Sequence, residues 1–252
     1  MANPYYAADE RRAGRVHDLF ADIAPRYDLI NDLQSFGLHR LWKRRLVRLA
    51  ALKPGDRALD LCCGTGDVAF ALASQGAEVT GLDFSEPMLE VARRRSSKFQ
   101  IPNSKAPASA APPSAFHLPQ FLQGDALHTP FPDGHFDAVT ISYGLRNLAD
   151  CEAGLREMLR VARPGGRLLV LDFGLPDNRL WRALYLAYLR VAVPLFGLLF
   201  AGNASAYAYI LESLKHYPAQ RGVAAMLTRL GCRDVRIVNL LGGVMGINYA
   251  EK

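Results

Sequence analysis

The amino-acid sequence predicts an α/β fold with a mostly parallel sheet, and two observations carry this prediction. First, a strand-like apolar run, 57–62, leads directly into the tight turn Gly64-Thr65-Gly66. Second, another apolar run follows and ends in the carboxylate Asp83. Strand, glycine turn, helix, strand and acid form a nucleoside-binding half of an open, Rossmann-like parallel sheet. Glycines at such a turn let the backbone approach a ligand that a Cβ atom would exclude.

Helical and strand-like segments continue to alternate along the chain. Short apolar runs predict strands at 57–62, 77–83, 120–123, 136–143 and 167–173. Amphipathic periodicity predicts helices at 10–22, 38–52, 67–74, 87–95, 151–162 and 218–230. Two last runs, 234–241 and 244–250, flank Gly242-Gly243 and predict a β-hairpin. Its return strand is expected to be antiparallel, at or near the edge of the sheet.

The length of the chain favours a single domain over 1–252, with half of its residues hydrophobic. Within this domain, 1–53 is expected to form a helical lid. Segment 96–119 carries repeated prolines among alanine and serine, which predicts a flexible insertion in a crossover connection. Segment 176–215 is apolar and mainly helical in pattern, and we expect it to cap the substrate.

The net charge and the cysteine content limit the classes of binding partner and the cellular compartment. The net charge is +6 and the pI is about 9.2, so anionic partners are favoured. Basic residues concentrate at 40–48 and 93–98. A solvated helix face or an anionic membrane surface explains them, and no nucleic-acid motif accompanies them. The cysteines and histidines lack the spacing of metal ligands, which predicts a reduced protein without a metal. The N-terminus does not resemble a secretory signal, so we expect a cytoplasmic protein.

Contact with a membrane is left open by the sequence. Arg182, Arg190 and Pro194 interrupt the apolar segment 180–201, which argues against a spanning helix. Peripheral contact with a bilayer surface and packing against the sheet are both compatible with it. A homo-oligomeric state is left open as well.

Carboxylates at the ends of the predicted strands indicate a nucleoside cofactor. Asp60 precedes the glycine turn, where a carboxylate would repel a pyrophosphate but attract the ammonium group of S-adenosylmethionine. Asp83 can accept hydrogen bonds from both ribose hydroxyls, and Asp125 from an adenine amine. The candidate cofactor-binding residues are Asp60, Gly64, Thr65, Gly66, Asp83, Met88, Asp125, Ala126 and Ser142. An NAD-dependent oxidoreductase is the alternative, although no suitable Lys–Tyr or His–Asp pair is evident.

The segment that follows the fourth predicted strand holds the candidate catalytic residues. Active sites of open parallel sheets lie beyond the carboxyl ends of the strands, so Arg146 and Asn147 should lie beside the reacting centre. The alternative for Arg146 is a surface position near the next helix. Upstream, the polar-aromatic run that starts at Tyr27 is either a lid over the substrate or a solvated arm.

These residues resemble those of the UbiE family of S-adenosylmethionine-dependent C-methyltransferases of ubiquinone and menaquinone biosynthesis. The resemblance extends from about Tyr5 to Tyr249. The matching positions are Tyr27-Asp28, Asn31-Asp32, His39-Arg40-Leu41-Trp42-Lys43, Asp60, Gly64-Thr65-Gly66-Asp67, Phe131-Pro132-Asp133, Tyr143-Gly144-Leu145-Arg146-Asn147, Arg160-Val161, Arg163-Pro164-Gly165-Gly166 and Asn239-Leu240-Leu241-Gly242-Gly243. The glycine turn is common to many methyltransferases, whereas the His-Arg-Leu-Trp-Lys and Gly-Leu-Arg-Asn segments are far more specific.

The resemblance implies a class I methyltransferase fold and methyl transfer from S-adenosylmethionine to a ring carbon of a prenylated quinol. It assigns cofactor contacts to Thr65, Asp83, Asp125, Ala126 and Ser142, and chemistry to Arg146 with Asn147. Tyr27 is a further catalytic candidate. The double cysteine Cys62-Cys63 is similar to cyanobacterial and plastid members, which act on a phytylated naphthoquinone. The expected substrate is therefore 2-phytyl-1,4-naphthoquinol or demethylmenaquinol, and a prenylated benzoquinol is the alternative.

Overall fold

The structure is a computed structural model that describes residues 14, 24, 27–100, 117–201 and 211–252. At 30, 99–100 and 196–201 the description covers the backbone alone. The predicted helix at 10–22 lies almost entirely outside the described residues. The same holds for 101–116 of the proline-rich segment and for 202–210 of the predicted cap.

A seven-stranded sheet forms the centre of the described chain, in the order β3-β2-β1-β4-β5-β7-β6. Strands β1 to β5 are mutually parallel, whereas β7 runs antiparallel between β5 and β6. The strands are β1 Arg57–Leu61, β2 Glu78–Asp83, β3 Gln120–Gln123, β4 Phe136–Ser142, β5 Ala162–Phe173, β6 Arg233–Leu240 and β7 Met245–Glu251. The predicted α/β class and the antiparallel hairpin strand near the edge are confirmed.

Helices cover both faces of this sheet. Within the described ranges they are α1 Tyr27–Ser35, α2 Leu38–Ala50, α3 Asp67–Ala73, α4 Glu86–Gln100, α5 Cys151–Val161, α6 Arg179–Ala201 and α7 Ala219–Arg229. One core cluster joins the sheet to α2, α3 and α4 through side chains such as Leu46, Leu72 and Leu89. The opposite cluster joins it to α5 and α7 through Leu155 and Val223. The carboxyl ends of the parallel strands therefore open at one rim between the two helical layers.

Three local predictions are corrected by the structure. Helix α4 continues to Gln100 rather than ending at Arg95, because no proline or glycine interrupts it before Pro102. Strand β5 begins at Ala162 rather than Arg167, and its register with β4 shifts where the Pro-Gly-Gly turn bulges out. Residues 27–35, which were not predicted as a separate helix, form α1.

Helix α6 packs on α1 and leaves an apolar stripe exposed. Tyr185, Leu189 and Val193 recur every four residues and are buried. Tyr188 Oη donates a hydrogen bond to the Gln34 carbonyl of α1 at 2.6 Å. The outer stripe of exposed apolar side chains consists of Leu180, Leu184, Val191 and Leu195. Among the described residues, no helix has the length and apolar character needed to cross a bilayer.

Candidate functional site

A cavity of about 280 Å³ lies at the carboxyl ends of β1, β2 and β4. The predicted site residues that line it are Tyr27, Gly64, Asp83, Met88, Asp125, Ala126, Ser142 and Asn147. The other predicted residues, Asp60, Thr65, Gly66 and Arg146, do not line this cavity. The rule that loops at the carboxyl ends of parallel strands converge thus brings most of the predicted residues together.

Asp83 contacts the glycine turn through its carboxylate. Its Oδ2 accepts a hydrogen bond from the Gly64 N–H at 2.7 Å, and its Oδ1 accepts one from the Ser85 N–H at 2.8 Å. Gly66 has φ of 86° and a Cβ there would lie 2.8 Å from the Phe121 ring, so only glycine fits. A carboxylate oxygen can accept more than one hydrogen bond, so Asp83 can still accept hydrogen bonds from a ligand.

Two serine hydroxyls are buried on the cavity wall. Ser85 and Ser142 both line the cavity, and within the described part of the chain neither Oγ has a hydrogen-bond partner. A buried hydroxyl without a partner costs free energy, which a polar ligand in the cavity would recover. These hydroxyls indicate that the cavity is prepared to receive a ligand with hydrogen-bonding groups.

Asp60 is buried in the sheet rather than on the cavity wall, with 1% of its surface exposed. Its Oδ1 accepts a hydrogen bond from Thr140 Oγ1 at 2.7 Å. Burial raises the pKa of this carboxyl to about 7, because desolvation disfavours the charged form. A nearby cation would favour the ionised form. Its predicted contact with the ammonium group of the cofactor remains a prediction.

An ionic network joins the N-terminal segment to the glycine turn. Thr65 Oγ1 donates to Asp28 of α1 at 2.9 Å. Arg95 Nη1 donates to Asp28 Oδ2 at 3.3 Å and to the Thr65 carbonyl at 3.0 Å. Asp67, at the start of α3, pairs with Arg95 at 2.5 Å and with Lys43 at 2.9 Å. Thr65 therefore fastens α1 to the turn instead of facing the cavity.

Arg146 is buried and oriented by several contacts. It lies on the short helical turn Leu145–Asn147 after β4, with 6% of its surface exposed. Its Nη1 donates to Asp172 Oδ1 at 2.8 Å and to the Tyr143 carbonyl at 2.6 Å. Its guanidinium also lies over the Phe173 ring, 4.8 Å from the centroid. The surface position considered for Arg146 is therefore ruled out.

A second cavity, of about 450 Å³, adjoins the first. The two cavities share Leu148 and Ala149 in their walls. Arg146 lines the second cavity, whereas its neighbour Asn147 lines the first. The Arg146–Asn147 segment therefore forms part of the boundary between a strand-rim cavity and a neighbouring space that also borders His216.

Tyrosines surround Arg146. Burial raises the pKa of Tyr27, Tyr143, Tyr185 and Tyr217, and the positive charge of Arg146 opposes the rise in each case. Among the described residues, the buried hydroxyls of Tyr143 and Tyr185 have no hydrogen-bond partner. The surroundings of Arg146 are thus aromatic and supply hydroxyl groups, which suits a flat ring that carries oxygen atoms.

Sequence reasoning missed Asp172, Ser85 and the partners of the ionic network. Asp172 occupies the same kind of position as Asp83 and Ser142, at the carboxyl end of a parallel strand. The strand-end rule could therefore have found Asp172. The ionic partners of Asp67 are 24 and 28 residues distant in sequence, and no local pattern connects them.

Solved structures with a similar fold include S-adenosylmethionine-dependent methyltransferases. One from Aquifex aeolicus has a TM-score of 0.58 at 17% identity, covering 89% of this chain and 97% of that one. A possible histamine N-methyltransferase from Thermotoga maritima has a TM-score of 0.61 at 16% identity, covering 93% and 99%. The fold is therefore that of class I, Rossmann-like methyltransferases, as predicted.

The chain belongs to the ubiE/COQ5 methyltransferase family, whose model matches residues 7–252. A demethylmenaquinone methyltransferase of Thermus thermophilus is 44% identical, covering 93% of this chain and 100% of the relative. One of Beutenbergia cavernae is 42% identical, covering 94% and 90%. The ubiquinone/menaquinone biosynthesis C-methyltransferase UbiE of Ectopseudomonas mendocina is 40% identical, covering 97% and 91%. The predictions of the family and of a methyltransferase are confirmed.

Proposed function

We propose that this methyltransferase transfers the methyl group of S-adenosylmethionine to a ring carbon of a prenylated naphthoquinol. The substrate is 2-phytyl-1,4-naphthoquinol or demethylmenaquinol, in the last methyl-transfer step of phylloquinone or menaquinone biosynthesis. The observation that carries the proposal is the strand-rim cavity with Asp83 on its wall, adjoined by the buried Arg146. The names of the demethylmenaquinone methyltransferases support the naphthoquinol ring. The Cys62-Cys63 pair supports the phytyl tail.

The first cavity is assigned to the methyl donor. Asp83 would accept hydrogen bonds from the ribose hydroxyls, and Asp125 with Ala126 would contact the adenine. Ser142, whose hydroxyl lacks a partner among the described residues, would donate a hydrogen bond to S-adenosylmethionine. Gly64, Gly66 and Met88 would shape the wall, and Thr65 would hold the turn. The buried carboxyl of Asp60 favours a cationic donor over a diphosphate.

Arg146, Asn147 and Tyr27 are assigned to the chemistry. When bound, S-adenosylmethionine supplies an electrophilic methyl group, so the ring carbon of the acceptor must be electron-rich. Loss of a phenolic proton from the quinol provides this, because charge spreads to the adjacent ring carbon. Arg146 is too basic to take that proton and instead stabilises the phenolate, while water accepts the proton. Asn147 would orient the water or the phenolic oxygen, and Tyr27 would close the site above it.

The experiment that tests this function uses a labelled methyl donor and a panel of reduced acceptors. We expect product from naphthoquinols that carry a phytyl or prenyl tail, identified by mass spectrometry as ring-methylated. Product only from prenylated benzoquinols would favour the alternative ring. Calorimetric titration with S-adenosylmethionine and with NAD tests the cofactor, and binding of NAD alone would contradict the assignment.

The exposed stripe of α6 is assigned to a membrane surface, where the apolar tail of the substrate resides. Leu180, Leu184, Val191 and Leu195 present apolar side chains to solvent, and exposed Arg179 and Arg190 can meet anionic headgroups. Residues 1–53 and 176–215 would then form the lid and the cap around the acceptor. We expect the protein to float with anionic liposomes. Leu184→Glu should abolish flotation, whereas Leu122→Glu, at an exposed leucine of β3, should not.

A further inference from the structure

Asp172 forms an ion pair with Arg146 and contacts the arginine at two points. Its Oδ1 accepts from Arg146 Nη1 at 2.8 Å, and its Oδ2 accepts from the Arg146 backbone N–H at 3.2 Å. Asp172 stands at the end of β5, whereas Arg146 follows β4, so the pair spans two neighbouring strands. Both the guanidinium and its backbone are therefore tied to one carboxylate.

The pair is almost completely removed from water. The side chains of Arg146 and Asp172 are 6% and 2% exposed. Removing water from two charges is costly, and such a pair does not by itself imply a gain in stability. A second pair, Glu157 and Arg160, is structurally comparable, with Nη2 and Oε1 2.7 Å apart and side chains 10% and 33% exposed. That pair borders neither cavity, so it serves as a matched control.

We propose that Asp172 is a positioning residue, which orients Arg146 so that the guanidinium meets the phenolate of the acceptor. This inference rests on the proposed function. The Asp172 carboxylate fixes Nη1 together with the Tyr143 carbonyl, and Phe173, its neighbour in sequence, packs against the face of the guanidinium. The two hydrogen bonds that Nη1 donates and the contact of one guanidinium face with Phe173 together fix the plane of the guanidinium. Preorganised charge of this kind needs no rearrangement when the phenolate forms.

The inference predicts how phenol ionisation depends on Asp172. A well-placed Arg146 lowers the pKa of the bound phenol, so kcat rises with pH at a lower pH than it would otherwise. Asp172→Asn keeps the shape of the side chain but removes the charge and one acceptor. The guanidinium then loses its orientation, and the rising limb of the pH profile moves to higher pH. An exclusively structural role would lower the melting temperature without moving this limb.

The test is a double-mutant cycle over Arg146→Ala, Asp172→Asn and the double variant. We expect Asp172→Asn to lower kcat by about tenfold or more while the Kd for S-adenosylmethionine stays near that of the wild type. In the Arg146→Ala background, the same substitution should lower kcat by less than about threefold, because its target is gone. Glu157→Gln should lower stability and leave kcat and the pH limb unchanged.

Three kinetic outcomes overturn the inference: unchanged kcat in Asp172→Asn, an unmoved pH limb, or effects that multiply fully in the double variant. If Asp172→Asn does not fold, Asp172→Glu keeps the charge but shifts the carboxylate by one methylene, and the same signature is expected from it. The Nη1–H signal of Arg146, the group that donates to Asp172, adds a measurement by ¹⁵N NMR that needs no substrate. Loss of its protection from exchange in Asp172→Asn supports positioning even if the acceptor is not a naphthoquinol, and unchanged protection contradicts it.

Discussion

The two sides of the site are prepared in different ways. On the donor side, Ser85 and Ser142 carry buried hydroxyls that have no partner among the described residues, so the wall gains hydrogen bonds only when a ligand arrives. On the other side, Arg146 is already tied to Asp172 and Tyr143. By the proposal, the donor cavity obtains affinity from contacts still to be made, whereas the Arg146 side keeps its geometry fixed before the acceptor binds.

Replacing Arg146 should have the largest effect, and this effect should be confined to kcat. By the proposal, Arg146→Ala removes the charge that stabilises the phenolate, and we expect kcat to fall by at least about a hundredfold. The Kd for S-adenosylmethionine, measured by calorimetry, should stay near the wild-type value because Arg146 does not line the donor cavity. Arg94→Ala, at an exposed arginine that borders neither cavity, is the control. Near-normal turnover in Arg146→Ala would remove this residue from the mechanism.

Replacing Asp83 should have the opposite signature. Asp83→Ala removes the carboxylate that accepts hydrogen bonds from the turn and, by the proposal, from the ribose. We expect the Kd for S-adenosylmethionine to rise about 10- to 100-fold, since hydrogen bonds to a charged group are worth about 1.5–3 kcal/mol. Glu78→Ala, at the exposed start of the same strand, should bind normally. Equal affinity in both variants would disprove the ribose assignment.

Removing the Ser142 hydroxyl should have a smaller effect that separates folding from binding. Since this Oγ has no partner within the described residues, Ser142→Ala should leave the melting temperature of the free protein unchanged or slightly raised. The Kd for the methyl donor should rise about fivefold, as expected for one neutral hydrogen bond. Ser74→Ala, at an exposed serine that bonds the Ala71 carbonyl, is the control. Destabilisation of free Ser142→Ala without loss of affinity would contradict the comparison.

The smallest effect concerns Asp60 and depends on pH. Burial raises its pKa to about 7 from an ordinary 3.8, so the folded state holds a proton that the unfolded state has already released between these values. Stability should therefore fall as pH rises through this window. Asp60→Asn cannot ionise, so its melting temperature relative to wild type should increase by a few degrees between pH 5 and pH 8.

Two additions make the Asp60 measurement decisive. Asp177→Asn provides the control, because the hydrogen bond from Arg221 lowers the pKa of the Asp177 carboxyl and its difference from wild type should not change between pH 5 and pH 8. A bound cationic donor favours ionised Asp60, so saturating S-adenosylmethionine should reduce the pH dependence of the wild type. A melting-temperature difference that does not change with pH would show that Asp60 is not protonated in the folded protein.

The sheet and most of the predicted residues on the first cavity could be located from sequence because their signals are local. An apolar run that ends in Asp83 or Ser142 indicates which residues lie at the rim of a parallel sheet. Helix α1 carried no such signal, since its helical packing depends on contacts such as Tyr188 to Gln34, which lie far apart in sequence. The Arg146–Asp172 pair was missed for the same reason. Its two residues are 26 positions apart, and only tertiary structure brings them together.

Cys62 can serve as a chemical probe of ligand binding in the cavity that we assign to the methyl donor. Its side chain borders the cavity and lies so close to Gly144 that a Cβ there would be 2.5 Å from the Cys62 Cβ. Burial raises the pKa of its thiol well above the usual value, so alkylation at neutral pH is slow. A ligand seated on this wall shields the sulfur from reagents. Peptide mapping of alkylated Cys62 therefore measures occupancy of the cavity directly, without any acceptor and without turnover.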